Sequence, residues 1–160
     1  MFETLDEIPW GRLHHAYDRA TDAPRWIRAL DSENEDDRME AINHFLWGCA
    51  FHQYTLYTST PVVIRFVVEA LNSSTLAERD DGMGHPMKQE LMQFLRSCAE
   101  RGQRGVQKRR WWPSPKTPTV DEATIAGRPL YERYASDTND QVKANATWLL
   151  AFCNAHSNLV

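Results

Sequence analysis

The sequence predicts an all-α fold: a short solenoid of about three antiparallel helical hairpins, preceded by a helix that caps the N-terminal end. Apolar residues recur at helical spacing in successive segments of the chain. Most of these segments begin at a capping residue or a proline, and most connections between them are short. Short connections place successive helices antiparallel. We expect a single domain over residues 1–160, because this length suits one continuous core.

The first two predicted helices are short. The capping helix lies within Leu5–Tyr17 and is interrupted or delayed by Pro9 and Gly11. Proline lacks the backbone N–H that a helix interior needs. The next helix starts at Thr21 or Asp22, either of which can cap it, and has Pro24 in its first turn.

A longer helix is predicted after the acidic run at residues 31–40, which holds six acidic residues and one arginine. Acidic side chains at a helix start cap free amides and suit the positive end of the helix dipole. From here onward the apolar residues follow helical spacing: Met39, Ile42, Leu46, Cys49 and Ala50.

Residues 58–73 are compatible with a helix or with a buried strand. The β-branched and aromatic residues within them are those that a buried strand would use. Ser59 or Thr60 followed by Pro61 is, however, a typical helix start. We predict a helix, which must lie between other helices because it is almost wholly apolar.

The second half of the chain predicts further helices separated by loops. One runs from Pro86 to a stop at Gly102, an imperfect one begins near Val120 and is interrupted near Gly127, and the last begins near Asn139. The apolar residues of the last helix follow helical spacing: Val142, Ala146, Leu149, Leu150 and Cys153.

The composition favours a soluble, cytoplasmic protein that does not bind membranes. Acidic residues occupy the N-terminal stretch where a signal peptide would need cations, and no run approaches the roughly 18 consecutive apolar residues of a membrane span. Cys49, Cys98 and Cys153 are far apart, lack metal-ligand spacing and fall on apolar helix stripes, so we assign them to the core. We expect no cofactor and no bound metal.

Charge is distributed unevenly along the chain. Residues 101–116 hold six cations and no acid, whereas the rest of the chain has 12 cations against 22 acids, a net charge of −10. Arginines beside paired tryptophans are typical of binding hot spots. We assign partner binding to six residues of this basic segment: Arg104, Lys108, Arg109, Arg110, Trp111 and Trp112.

Three interpretations of the basic segment stay open. It can lie over the protein's own acidic surface, with Trp111 or Trp112 in a groove between helices. It can bind another protein. It can also clamp phosphates while its tryptophans stack on bases, although these cations alone would give only weak, nonspecific binding of nucleic acid, with a Kd of about 10⁻⁴ to 10⁻⁶ M.

A run of the form Trp-Gly-x-x-x-His-Gln-x-Thr-x-Tyr precedes a helix that opens with proline; its residues are Trp47, Gly48, His52, Gln53, Thr55, Tyr57 and Pro61. Together with its surroundings from Ile8 to Leu71, this run resembles the N-terminal part of a bacterial family of HEAT-repeat proteins. The last helix is also similar to the second helix of a HEAT repeat, at Asn139, Asp140, Val142, Lys143, Ala146, Leu149 and Leu150. The resemblance implies a solenoid of paired helices and no general activity.

His52, Gln53 and Tyr57 are open to more than one use. If the run joins two helical pairs, these residues supply hydrogen bonds to backbone groups at helix ends, and Gly48 lets another backbone approach closely. The alternatives are a binding surface and a catalytic site based on His52. No P-loop, HExxH spacing or nucleophile motif accompanies this histidine, so we favour the joint and predict that the protein is not an enzyme.

These observations predict a module that binds another protein, through a concave face and the residues around Arg109 to Trp112. Its size and acidic balance suit an immunity or antitoxin-type protein that covers a basic toxin, or another regulatory binder. The alternative is a HEAT-like protein that binds nucleic acid through the basic segment, similar to the alkylpurine DNA glycosylases.

Overall fold

The structure is a computed structural model that describes residues 1–104 and 117–156, with the backbone alone for residues 103 and 104. Within these residues the chain is mostly helical, as the sequence predicts. The α-helices are α1 (Ala23–Ala29), α2 (Glu35–Glu40), α3 (Thr60–Asn72), α4 (Ser74–Ala77), α5 (Met87–Arg104), α6 (Val120–Ile125), α7 (Arg128–Tyr134) and α8 (Asp140–Ala155).

The predicted capping helix is absent. The chain forms two short 3-10 turns instead, Leu5–Glu7 and Trp10–Arg12. Between them Ile8 is extended, at φ −78° and ψ 129°, because the ring of the following Pro9 disfavours the helical region for the residue before it. The proline therefore breaks this segment rather than merely delaying a helix.

Helix α2 continues without a break into a π-helical segment, Ala41–Ala50, whose wider turns end with the amide of Phe51 bonded to the carbonyl of Leu46. The apolar residues that the sequence placed on the core side of this segment are buried. The expectation that Gly48 admits a neighbouring backbone is wrong. The crowding there comes from its own helix, because a Cβ at this position would lie 3.3 Å from the carbonyl oxygen of Asn43.

Helix α3 confirms the helical interpretation of residues 58–73. It packs against α5, α6 and α7, and most of its side chains are buried. Its first residue, Thr60, also ties it to the preceding π-helical segment, because the Thr60 hydroxyl donates a hydrogen bond of 2.7 Å to the carbonyl of Ala50. An apolar helix with partners on several sides is what the composition required.

Helices α5 and α8 pack against each other and, with α3, contribute much of one continuous apolar core. Cys49, Cys98 and Cys153 are all buried in it, which confirms their assignment. Helix α5 does not stop at Gly102 but continues to Arg104. The glycine instead allows close packing, since a Cβ there would lie 2.5 Å from the Oδ1 atom of Asp121.

The C-terminal helices begin and break as predicted. Thr119 caps α6 with a reciprocal capping box to Glu122, and Gly127 separates α6 from α7. Asn139 caps α8 by accepting hydrogen bonds from two backbone amides.

The sequence gives no signal for the only strands in the described part of the chain, β1 (Phe51–His52) and β2 (Thr55–Leu56). They form a small hairpin between the π-helical segment and α3. None of the helices in residues 1–104 and 117–156 combines the length and the hydropathy that crossing a membrane requires.

Candidate functional site

The β1–β2 hairpin has a strained turn. Its strands pair antiparallel, with Phe51 opposite Leu56 and His52 opposite Thr55. The two residues between them, Gln53 and Tyr54, have φ values of +47° and +60°. Two-residue hairpin turns with positive φ at both positions are normally made by Asn and Gly, and a bulky residue persists there only when its surroundings fix it.

Aromatic packing holds the hairpin against α5. The ring of Phe51 is buried and makes edge contact with Phe94 of α5, at 6.5 Å between centroids. Trp47 packs edge-on against the same Phe94, at 5.6 Å, and its indole N–H donates to Glu90 at 3.2 Å. The turn is therefore held against α5 by aromatic packing at its base.

A second loop, residues 14–22, lies beside the hairpin and is fixed by a buried histidine. His15 Nε2 lies 2.9 Å from Asp22 Oδ1, and its Nδ1 accepts a hydrogen bond of 3.2 Å from the amide of Tyr17. Because Nδ1 acts as an acceptor, the ring proton is on Nε2, which donates a hydrogen bond to the Asp22 carboxylate. The amide of Ala16 also donates to the carbonyl of Cys49 at 3.1 Å, which attaches the loop to the π-helical segment.

Together these two loops present a surface of rings, which we call the hairpin surface and define as Tyr17, His52 and Tyr54. Tyr17 is 67% exposed and Tyr54 76% exposed. The ring of Tyr17 lies 5.7 Å from that of His52, and Tyr54 stands edge-on to the buried Phe51 at 6.2 Å. Exposed tyrosines on a fixed backbone offer contact area at a low cost in side-chain entropy.

A cleft of about 330 Å³ opens between the hairpin turn and the last turns of α5. Its lining includes Tyr54, Ser97, Glu100 and Arg101, and we call it the hairpin cleft. Ser97, Glu100 and Arg101 are three and four residues apart and so share one face of the helix. Glu100 is already paired, because its carboxylate accepts a hydrogen bond of 2.8 Å from Arg96.

Cys49 of the π-helical segment lies close to His44 but does not have the lowered pKa of a catalytic cysteine. Cys49 Sγ lies 3.9 Å from His44 Nε2. Burial and the nearby charge of Asp22 raise the pKa of Cys49 to about 11, so the thiol is protonated at neutral pH, whereas a reactive cysteine needs a lowered pKa. Asp22 also accepts a hydrogen bond of 3.2 Å from the indole of Trp26. The hydrogen bonds of Asp22 therefore connect the loop at residues 14–22 with the first turn of α1.

Raising the pH from about 8.5 to about 11 is expected to lower the free energy of unfolding. Burial raises the pKa of Cys49, Cys98 and Tyr131 in the folded chain. Their contribution is fully present below the ordinary pKa of each group and is lost as the pH rises toward the folded value, because unfolding then releases a proton. Urea denaturation across this range measures the slope. A Cys98→Ala variant should show a shallower slope, and a wild-type free energy that stays constant through this range contradicts the prediction.

The structure brings some of the sequence-predicted site residues together. His52 is half-buried on the hairpin surface and Gln53 is exposed in the turn. Tyr57 serves α3 through its backbone, whose amide donates to Thr60 Oγ1 at 2.8 Å. This bond uses the backbone of Tyr57, whereas the predicted joint relies on side chains that bond backbone groups at helix ends. The interpretation of the run as a joint therefore stays a prediction.

The partner-binding residues predicted from the basic segment are placed only in part. Arg104 is the last residue of α5 and only its backbone is described. The other five lie outside the described residues: Lys108, Arg109, Arg110, Trp111 and Trp112.

Sequence reasoning missed Tyr17, Tyr54 and Arg101. A Gln-Tyr pair is not a turn signal, and nothing in the sequence distinguishes an exposed tyrosine from a buried one.

In the described ranges, no three histidine, cysteine, aspartate or glutamate side chains come together in a way that could hold a metal ion. Comparisons with family models, with curated proteins and with solved structures found no match.

Proposed function

We propose that the protein binds another protein through the hairpin surface. The observation that carries the proposal is the presentation of Tyr17 and Tyr54, both largely exposed, on backbone that is fixed from below. Strained backbone at a surface turn is a recurrent property of functional sites. Tyrosine is also enriched among the residues that dominate binding energy at protein interfaces.

The contact extends, in this proposal, from the hairpin surface into the hairpin cleft and toward the basic segment. Arg101 lines the cleft, and in the sequence the cations from Arg104 to Lys116 follow it. The participation of Arg109 to Trp112 stays a prediction, as does the class of partner, whether a toxin or another regulated protein.

The arrangement of the helices as a short solenoid of hairpins belongs to the same proposal. Support comes from the packing of α7 against α8 and of α5 against α8, and from the tight break between α6 and α7 at Gly127. A stack of helical pairs would present the hairpin surface at a joint between elements, where side chains from neighbouring elements converge.

The double variant Tyr17→Ala/Tyr54→Ala is expected to weaken partner binding by about 100-fold or more, since hot-spot truncations cost about 2 kcal/mol each. Its free energy of unfolding should change by less than about 0.5 kcal/mol, because both rings are largely exposed. The measurement is affinity capture from the native host, identification of the partner by mass spectrometry and titration of the purified pair.

Met83→Ala is the matched control, because Met83 is also an exposed apolar residue, at 41%, but lies on the loop before α5. A Trp111→Ala/Trp112→Ala variant tests the basic segment: loss of helix content would place the tryptophans in the core rather than in an interface. If the double tyrosine variant binds the partner as tightly as the wild type does, the hairpin surface is not the interface.

The alternative function, binding of nucleic acid, is favoured by the six cations of residues 101–116. It predicts retardation of DNA or RNA on native gels that weakens steeply as salt rises. Absence of any retardation at low salt removes this class.

A further inference from the structure

The walls of the hairpin cleft differ in chemistry. One wall is the ring of Tyr54, held at the hairpin turn, and the other is the face of α5 that carries Ser97, Glu100 and Arg101. A volume of about 330 Å³ is at the lower end of the range for ligand pockets and accommodates one or two side chains of a polypeptide. A cleft lined by an aromatic side chain and an arginine suits a ligand that joins an apolar group to an anion.

In the part of the chain that the structure describes, Arg101 has no carboxylate partner, unlike Arg96. Arg96, one turn earlier, is bonded to Glu100 at 2.8 Å and to Asn145 at 3.2 Å. The Arg101 side chain is exposed, and no ion pair or hydrogen bond of its guanidinium is found within the described part of the chain. The nearest acid on its helix face, Glu100, is already neutralised. The guanidinium of Arg101 is therefore available to a carboxylate of another molecule.

The sequence reinforces this local charge. Residues 101–116 contain six cations and no acid, although the rest of the chain carries a net charge of −10. The basic end of α5 thus attracts an acidic ligand, while the acidic remainder of the protein repels one elsewhere. This contrast favours docking of an acidic segment at the end of α5 over the acidic remainder of the protein.

We propose that the hairpin cleft binds an acidic segment of the partner protein, with a carboxylate on the guanidinium of Arg101 and an adjoining side chain against the ring of Tyr54. The inference rests on the proposed function and adds to it the chemistry of the partner. An exposed ion pair contributes little by itself, so the ring and the cation must act together.

Fluorescein-labelled poly-L-glutamate is the probe, and its binding to the full chain is followed by fluorescence anisotropy at low salt. Arg101→Gln is expected to weaken binding about fivefold, as loss of one exposed pair should, and Tyr54→Ala by a similar factor. Arg12→Gln is the matched control: Arg12 is also exposed but lies in the second 3-10 turn, and this variant should bind as the wild type does. Backbone amide shifts of Ser97 and Arg101 on titration locate the contact.

Equal binding by wild type and Arg101→Gln would overturn the inference, because the probe would then be held elsewhere, for instance by the basic segment alone. Tighter binding of a labelled single-stranded oligonucleotide than of poly-L-glutamate would also overturn it, in favour of a phosphate site.

The two proposals fail in different ways. If capture of the partner depends on Tyr17 and Tyr54 but poly-L-glutamate does not bind, the acidic-segment inference is wrong and the hairpin surface remains the interface. If poly-L-glutamate binds at the cleft but partner capture ignores both tyrosines, the proposed function is wrong.

Discussion

Replacing Gly82 by alanine is expected to lower the free energy of unfolding by about 3 kcal/mol. Gly82 has φ +85°, a conformation that residues with a Cβ rarely adopt. A Cβ would also lie only 2.8 Å from the carbonyl oxygen of Glu35 and 2.8 Å from the Cβ of Met39. Both atoms belong to α2, so the loop before α5 would have to move away from that helix.

Gly84 provides the matched control, because it has nearly the same backbone conformation, φ +88°, but no described atom lies within 4 Å of an added Cβ. Gly84→Ala should cost only the backbone strain, about 1 kcal/mol. The difference between the two variants, measured by urea denaturation followed by circular dichroism, isolates the steric contribution. Equal losses would show that the loop can separate from α2 without cost.

The loop that contains both glycines is built on side chains that the sequence did not single out. Asp80 accepts hydrogen bonds from the amides of Gly82 and Gly84, at 2.7 and 3.4 Å. Asp81 is fully buried and accepts from the amides of Met83 and His85, at 2.7 and 3.2 Å. Residues 78–84 are polar and include two glycines, but the order of this loop depends on hydrogen bonds between residues two to four apart, which composition does not reveal.

Helix prediction succeeded where periodicity and caps agreed. Helix α8 begins at its predicted Asn139 cap and buries the predicted residues Val142, Ala146 and Leu149. The same logic selected a helix for α3 over a strand, because Pro61 favours a first helical turn and has no N–H for a strand ladder. Both results follow from local chemistry that needs no knowledge of neighbours.

Prediction failed where the structure depends on specific side-chain contacts outside the helices' own periodicity and caps. The hairpin turn at Gln53 and Tyr54 is fixed by Phe51 against Phe94, which lies on α5. The loop that presents Tyr17 is fixed by the pair of His15 and Asp22. Neither contact corresponds to a turn or capping pattern in the sequence, so the candidate site could be identified only as a run of hydrogen-bonding residues.

Replacing Lys88 by methionine is expected to lower the free energy of unfolding by about 3 kcal/mol at neutral pH. Lys88 is only 6% exposed, and its ammonium lies 2.6 Å from Glu78 and 2.9 Å from Asp137. Methionine keeps most of the volume but leaves two carboxylates without a cation. The cost comes mainly from Asp137, whose side chain is 12% exposed, since Glu78 is 60% exposed and can be solvated.

The second-site variant Lys88→Met/Asp137→Asn separates lost charge from lost packing. Asparagine retains the side-chain oxygen that accepts a hydrogen bond of 2.8 Å from the amide of Asn139, while it removes the buried negative charge. The double variant should therefore recover about half of the loss. No recovery would mean that the lysine stabilises the fold through its aliphatic chain rather than through the ion pairs.

The pH dependence of the Lys88→Met effect provides an independent test of the same ion pairs. Burial of the ammonium opposes its charge, but the hydrogen bonds and charges of Glu78 and Asp137 outweigh burial and raise the pKa of Lys88. A raised pKa means that the stabilisation is fully present below the ordinary lysine value of about 10.4 and is lost as the pH rises through the folded value. The unfolding free energies of wild type and Lys88→Met should therefore differ by a constant amount from pH 6 to about 10 and converge above it. A gap that persists unchanged into strong alkali would assign the effect to packing, because the ammonium of Lys88 is the titrating group by which the two proteins differ.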